Sequence, residues 1–265
     1  MEIKEYVKYR KQILTETINA LEVKPHLLII QVNKDEASNA YVKGKKKDLE
    51  LIGARCTHLE LPLDTTEQAL LDVIKLNNHN DDVDGILVQM PLPKHIDEGK
   101  VKEAIDPIKD VDGFHPLSKC IACTPKGIID YLKNEKIEFS GKNAVVIGRS
   151  NIVGQPVAHL LLELNCNVTI LHSRTTKEDM NFYLAHADIV VVAVGKKYFL
   201  ADQPLKDTAV VVDVGINRVD GKLYGDCAPN LNVRLQTPVP GGIGLLTRVS
   251  MLENLLICYN NKRGN

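Results

Sequence analysis

Ser38, Tyr41 and Lys45 recur at i, i+3 and i+7, a spacing that puts all three on one face of a helix. A lysine in that setting has two readings. It belongs with Lys43, Lys46 and Lys47 to a solvated basic helix, or it is held partly out of water. Desolvation disfavours the ammonium, so in the second case its pKa falls toward neutrality and it can move protons. Tyr41 and Lys45 are also i, i+4 neighbours, and the phenol can hydrogen-bond or orient the ammonium. Gln89 closes the apolar stretch GILVQ just ahead of Pro91 and Pro93. That is the carboxyl edge at which open α/β sheets bind ligands, and an amide that both donates and accepts suits a heterocycle. Asp112, beside Gly113, can pair with an amino-bearing heterocycle edge or with Lys45, or it satisfies backbone amides as turn aspartates do.

A second constellation lies in Asn143–Pro156, NAVVIGRSNIVGQP. The run Ala144–Gly148 reads as a buried parallel strand ending in glycine, followed by the helical pattern Val153, Val157, Leu160, Leu161. Strand, glycine turn and helix point backbone N–H groups and a helix N-terminus at a phosphate. Ser150 stands where the second glycine of the usual dinucleotide fingerprint belongs. The next strand, Asn167–Leu171, runs into His172-Ser173-Arg174. An NAD site wants a carboxylate there for the ribose 2′-hydroxyl. A hydroxyl and a guanidinium, with Arg149 in the glycine turn as a second cation, instead suit a 2′-phosphate, unless they are ordinary loop arginines. The sequence favours NADP over NAD.

The elements that must position these residues alternate. Helical patterns at 2–21, 36–52 and 64–76 separate apolar strands at 26–32, 55–61 and 85–89, with Asp64-Thr-Thr-Glu67 read as a capping box that opens the third helix. After a helix from Thr124-Pro125 to about Asn134 come strands at 144–148, 167–171, 188–193 and 209–214. Gly195, Gly215-Ile216-Asn217 and Gly225-Asp226 fall in the loops at their ends, and Pro238-Val-Pro-Gly-Gly242 makes a stiff turn before a last helix, 246–259. The expected fold is α/β with two α/β domains around a cleft. Residues 1–124 plus 246–265 would form one domain, the last helix returning to it, and 125–245 a Rossmann-type nucleotide domain.

A formal net charge of −1 offers no basic surplus for nucleic acid or a membrane surface. No apolar run approaches the roughly 20 residues of a membrane span, and Met1 opens directly into charged helical sequence without a secretory signal. Six scattered cysteines suit reduced thiols, and Cys120-x-x-Cys123 lacks the second pair that zinc spacing requires, so no metal is expected. The reading is a soluble cytoplasmic globular protein.

Taken in order, Ser38-x-x-Tyr-Val-x-x-Lys45-x-Lys47, Val88-Gln-Met-Pro-Leu-Pro93, Asp110-Val-Asp-Gly-Phe-His-Pro116, Cys123-Thr-Pro-Lys-Gly127, Gly148-Arg-Ser-x-x-Val-Gly-x-Pro156, His172-Ser-Arg-Thr175 and Pro238-Val-Pro-Gly-Gly242 resemble the methylenetetrahydrofolate dehydrogenase/cyclohydrolase family. The resemblance implies oxidation of 5,10-methylenetetrahydrofolate with NADP⁺ and hydrolysis of the methenyl product to 10-formyltetrahydrofolate, by a homodimer formed through the nucleotide domains. It makes Lys45 the proton-transfer group, with Tyr41 on the folate ring, Gln89 setting the state of Lys45, and Asp112 holding the pterin edge. Val88, Met90, Pro238, Gly241 and Gly242 would wall the substrate pocket. Gly148, Arg149, Ser150, Ser173, Arg174, Gly195 and Ile216 would hold NADP. Asn33, Leu245-Leu246 and a short 116–123 segment depart from the family pattern, at a turn, the nicotinamide side and the rim respectively. A dehydrogenase without cyclohydrolase activity, or a non-catalytic NADP(H)-binding regulator, are the other readings.

Overall fold

The structure, a computed structural model, describes residues 1–264. The chain divides into two compact units, one of residues 8–123 with the chain from Arg248 onward, the other of residues 1–7 with 124–247.

In the first unit, α1 (Ile3–Asn19), from residue 8 onward, precedes β1 (His26–Gln31), α2 (Glu36–Leu51), β2 (Arg55–Glu60), α3 (Glu67–Asn78), β3 (Gly85–Gln89) and α4 (Glu98–Ala104). The strands form a parallel sheet in the order β2-β1-β3. β1 and β3 are buried along their whole lengths, as continuous apolar runs require, whereas β2, with its alternating polar and apolar residues, is nowhere fully buried. The register sets Gln31 beside both Glu60 and Gln89, so the carboxyl ends of the strands are flush. Leu28, Ile30, Ile74, Ile86, Val88 and Val101 build the core beneath them.

α2 carries the candidate residues and is fixed at both ends. Asp35 caps it by accepting from Ser38 N at 2.8 Å. Gly53, at φ 78°, ends it, with Gly53 N donating to Glu50 O and Ala54 N to Leu49 O. That pair of bonds is a Schellman closure, and glycine fits its left-handed position without a Cβ penalty. The start of α3 differs from expectation. Thr66 is the N-cap, accepting from Ala69 N, so Asp64 is not the head of a capping box. Glu67, at the first helical position, instead accepts from Asp97 N and Lys100 Nζ and ties α3 to the start of α4.

The second unit takes in α5 (Cys123–Asn134), β4 (Asn143–Ile147), α6 (Gly154–Glu163), β5 (Asn167–Leu171), α7 (Lys177–His186), β6 (Ile189–Val192), β7 (Val210–Asp213), β8 (Asn217–Val219), β9 (Lys222–Tyr224) and β10 (Leu235–Gln236). Five of these strands form a parallel, Rossmann-like sheet in the order β10-β7-β6-β4-β5. β5 lies on one side of β4 and β6 on the other, so the topology switches at β4 and opens a crevice at its carboxyl end. The antiparallel β8–β9 hairpin has no counterpart in the sequence pattern, because strands of three residues carry no readable periodicity. α8 (Ile243–Arg263) is longer than the expected 246–259. Its last turn is held by Lys262 and Arg263 on the buried Asp84. Among the described residues no helix is long and apolar enough to cross a membrane.

Candidate active site

Lys45 is buried, 5% exposed, in a helix whose other lysines at 43, 46 and 47 face solvent. Its ammonium donates to Gln89 Oε1 at 3.0 Å and lies over the Tyr41 ring, 5.0 Å from the centroid. The ring face, rather than the phenol oxygen, therefore guides the ammonium. Gln89 cannot swing away or present its amide the other way round, because Nε2 donates to Met90 O at 2.7 Å. Ser38 Oγ donates to the same carbonyl. Burial lowers the Lys45 pKa below its ordinary value, and Asp112 and Cys123 oppose that in part.

Asp112 sits in a loop that Asp110 shapes. The buried Asp110 accepts from Gly113 N at 3.1 Å and His115 N at 2.8 Å, so the amide-satisfying role belongs to Asp110 and leaves Asp112 for Lys45. Gly113 has φ 71°, and a Cβ there would press on the backbone of 120–122. From α8, Asn254 Nδ2 donates to Val111 O and Ile121 O, closing the loop from behind. Burial pushes the Asp112 carboxyl up to about 6; Lys45 pulls it down, Asp110 adds to the rise, and Lys102 opposes it. Amine and carboxyl have thus been drawn toward each other in proton affinity, the condition for proton transfer near neutrality.

Two supports are not visible in the sequence. Gly44 leaves room for the Arg248 guanidinium, which a Cβ at that position would overlap. Arg248 Nε then lies 3.0 Å from Asp48 Oδ2, while Lys11 Nζ holds Asp48 Oδ1 at 2.6 Å. Residues 41, 44, 45 and 48 form one helical stripe, so this buried ion triad anchors the face that carries Tyr41 and Lys45. Asn33, by contrast, makes contacts a glycine could not. Its Nδ2 donates to Pro91 O at 2.8 Å, and Gln31 Nε2 donates to its Oδ1 at 3.2 Å, fastening the turn after β3.

Val88 and Met90 flank Gln89, but the Val88 side chain is packed in the core, leaving only its backbone for a ligand. Cys120 and Cys123 are both buried as free thiols, with Cys120 Sγ 3.6 Å from Cys258 Sγ.

In the second unit the expected cofactor residues lie along one sheet edge. Gly148 follows β4 and His172-Ser173-Arg174 follows β5, bound side by side through Gly148 N to Leu171 O at 2.9 Å. Gly195 follows β6, and Gly215-Ile216 follows β7. These residues fit a dinucleotide. Gly148, at φ 119°, approaches Ala193 so closely that a Cβ would strike its carbonyl, and Gly154 opens α6 with no Cβ to strike Gly148 O. Ser150 Oγ accepts from Val153 N at 3.2 Å and Gly154 N at 3.3 Å, so the serine in the second glycine's place shapes the turn into the helix. Arg149, Ser150, Ser173 and Arg174 are exposed, and Arg149 and His172 line a hollow of about 870 Å³ beside them. Pro238, Gly241 and Gly242 belong to this unit, in a turn where Gly242 packs against Pro238 O.

Comparison with known proteins assigns the chain. Residues 1–112 match the tetrahydrofolate dehydrogenase/cyclohydrolase catalytic domain, and residues 122–263 match the NAD(P)-binding domain of the same family. The bifunctional protein FolD of Campylobacter hominis is 47% identical, over 98% of this chain and 94% of its own. That of Staphylococcus aureus strain Newman is 45% identical, over 98% and 96%. Among solved structures, the Trypanosoma brucei methylenetetrahydrofolate dehydrogenase-cyclohydrolase, complexed with NADP and an inhibitor, superposes at a TM-score of 0.95 and 31% identity, covering 100% of this chain and 98% of its own. With two family domains in order along one chain, and the lysine, glutamine and aspartate of the first unit brought together, the chain belongs to the tetrahydrofolate dehydrogenase/cyclohydrolase family.

Proposed function

We propose that Lys45 and its neighbours carry the hydrolytic half of a bifunctional enzyme. The enzyme oxidises 5,10-methylenetetrahydrofolate with NADP⁺ and hydrolyses the methenyl product to 10-formyltetrahydrofolate. The observation that supports this division is the buried Lys45 ammonium, held by Gln89 and Tyr41 in the field of Asp112. The residues at the Gly148 turn and the ends of the neighbouring strands would hold NADP⁺, which would supply the hydride acceptor. Hydride transfer needs donor carbon and nicotinamide face to face but no obligatory acid or base. Hydration does need a base. Water adds to the methenyl carbon, and Lys45 as neutral amine takes the first proton that this water loses. In ring opening N5 gains a proton as its bond to that carbon breaks, while the added hydroxyl gives up its remaining proton to become the formyl oxygen, so one proton is released overall.

Tyr41 packs on the folate ring and Asp112 accepts from the pterin amino edge, with Met90 and the backbone of Val88 beside them. Pro238, Gly241 and Gly242 wall the nicotinamide side. Gly148, Arg149, Ser150, Ser173, Arg174, Gly195 and Ile216 hold NADP, and the two exposed arginines favour the 2′-phosphate. Residues 1–124 with 246–265 act as the folate domain and 125–245 as the NADP domain. The enzyme is a homodimer through the latter: β5 is a sheet edge, with exposed Leu162, Ile170, Phe182 and Tyr183 on it and its flanking helices. It works in the cytoplasm, without nucleic-acid or membrane partner, as its free thiols and net charge of −1 suit.

The test is an absorbance assay that follows methenyl folate and reduced cofactor together. Lys45→Met should abolish decay of added methenyltetrahydrofolate while much of the hydride transfer survives. Equal loss of both refutes the division of roles.

A further inference from the structure

Two aspartates at the carboxyl edge of the second unit's sheet interlock through each other's glycines. Asp226 is fully buried, and its two oxygens take the backbone N–H groups of three successive residues: Val194 at 2.7 Å and Gly195 at 2.9 Å on Oδ2, Lys196 at 2.8 Å on Oδ1. Asn217 Nδ2 adds a fourth bond, to Oδ1 at 2.9 Å. Successive N–H groups converging on one point form a nest, the concavity that proteins use to bind anions. Here the nest already holds an anion of the chain's own. Asp213, 2% exposed, does the same one loop away, accepting from Gly215 N at 3.0 Å, Asp226 N at 2.8 Å and Cys227 N at 2.9 Å. A Cβ on Gly215 would overlap the Asp226 carboxyl, and a Cβ on Gly225 would overlap that of Asp213. Gly215 and Gly225 are therefore the spaces into which the carboxylates fit.

We propose that Asp226, braced by Asp213, is a positioning residue for the cofactor. It fixes the loops that bear Gly195 and Ile216, and it closes the 194–196 nest to phosphate, so that the pyrophosphate seats only at the Gly148 turn. This rests on the NADP reading of the unit. Ile216 shows what the fixing is for. It is 60% exposed on a loop whose neighbours, Gly215 and Asn217, are tied to Asp213 and Asp226, so it presents a rigid apolar face to an aromatic ring.

The test uses the whole enzyme and titrates NADP⁺ calorimetrically. Asp226→Asn turns one acceptor into a donor that faces N–H groups, and should raise the NADP⁺ Kd and KM about ten-fold or more, with a smaller fall in kcat. Hydride transfer at low NADP⁺ should fall further than methenyl hydrolysis. Asn217→Ala removes one bond and should raise both constants roughly two- to five-fold. In Asp226→Ala the nest is freed, so inorganic phosphate should raise the melting temperature of that variant more than that of the parent. If the Asp226 variants do not fold, Asn217→Ala decides. A parental NADP⁺ Kd in Asn217→Ala or in folded Asp226→Asn, or no phosphate effect in folded Asp226→Ala, overturns the proposal. Failure of the parent enzyme to bind NADP⁺ overturns the cofactor reading instead.

Discussion

Asp112 is held where burial makes its charge costly, so its replacement should strengthen the fold. Its carboxyl stands at about 6 against an ordinary 3.8. A difference of roughly two units corresponds to about 3 kcal/mol, and the attraction of Lys45 is already contained in it. Asp112 is only partly buried as a residue, and solvent screening reduces the figure to about 1–2 kcal/mol. The sign follows from proton binding. Between about pH 4 and pH 6 the folded carboxyl keeps a proton that the unfolded one has lost, so stability falls as pH rises through that window and the penalty is complete above it. Asp112→Asn removes the ionisation and keeps the shape. In thermal melts it should gain roughly 2–6 °C near pH 8 and little near pH 3, below the ordinary 3.8, where both states of the parent are mostly protonated. Folate-dependent activity should drop sharply at the same time, because a group that recognises substrate is being traded for stability. A variant that melts lower than the parent near pH 8, or gains equally at both pH values, refutes the electrostatic reasoning.

The Gly44–Arg248 contact predicts coupling. In an Arg248→Met background, Gly44→Ala should stabilise by about 1 kcal/mol, the helix propensity gained. In the parent, the methyl displaces the guanidinium from the buried Asp48 and that gain should vanish or reverse, a difference that urea denaturation of all four proteins measures as a coupling energy. Arg174→Ala should raise the KM for NADP⁺ about ten-fold, the loss of one charged hydrogen bond to phosphate, and leave that for NAD⁺ nearly unchanged. Steady-state kinetics with both cofactors would show equal effects if the arginine were an ordinary loop cation.

Most of the architecture is legible in the amino-acid sequence, because β1, β3, β4, β6 and β7 are apolar runs in a buried parallel sheet and the glycines fall at the turns that need them. The helical spacing of Ser38, Tyr41 and Lys45 determines their common face, and the glycine turn with its following arginines marks the cofactor edge. Burial is not legible. Nothing in a run of lysines says that Lys45 alone is enclosed while 43, 46 and 47 face water; that depends on β3 bringing Gln89 to it across 44 residues. Nor does the sequence divide the labour of Asp110 and Asp112, two residues apart, one binding backbone amides and the other shifting with Lys45. Local periodicity reports which face a residue occupies, whereas desolvation and charge coupling depend on groups distant in the chain. Gly44 with Arg248, Asn254 with Val111, and Asp226 with Val194 meet only when the chain is folded, and those meetings set the proton affinities and the loop positions on which the chemistry depends.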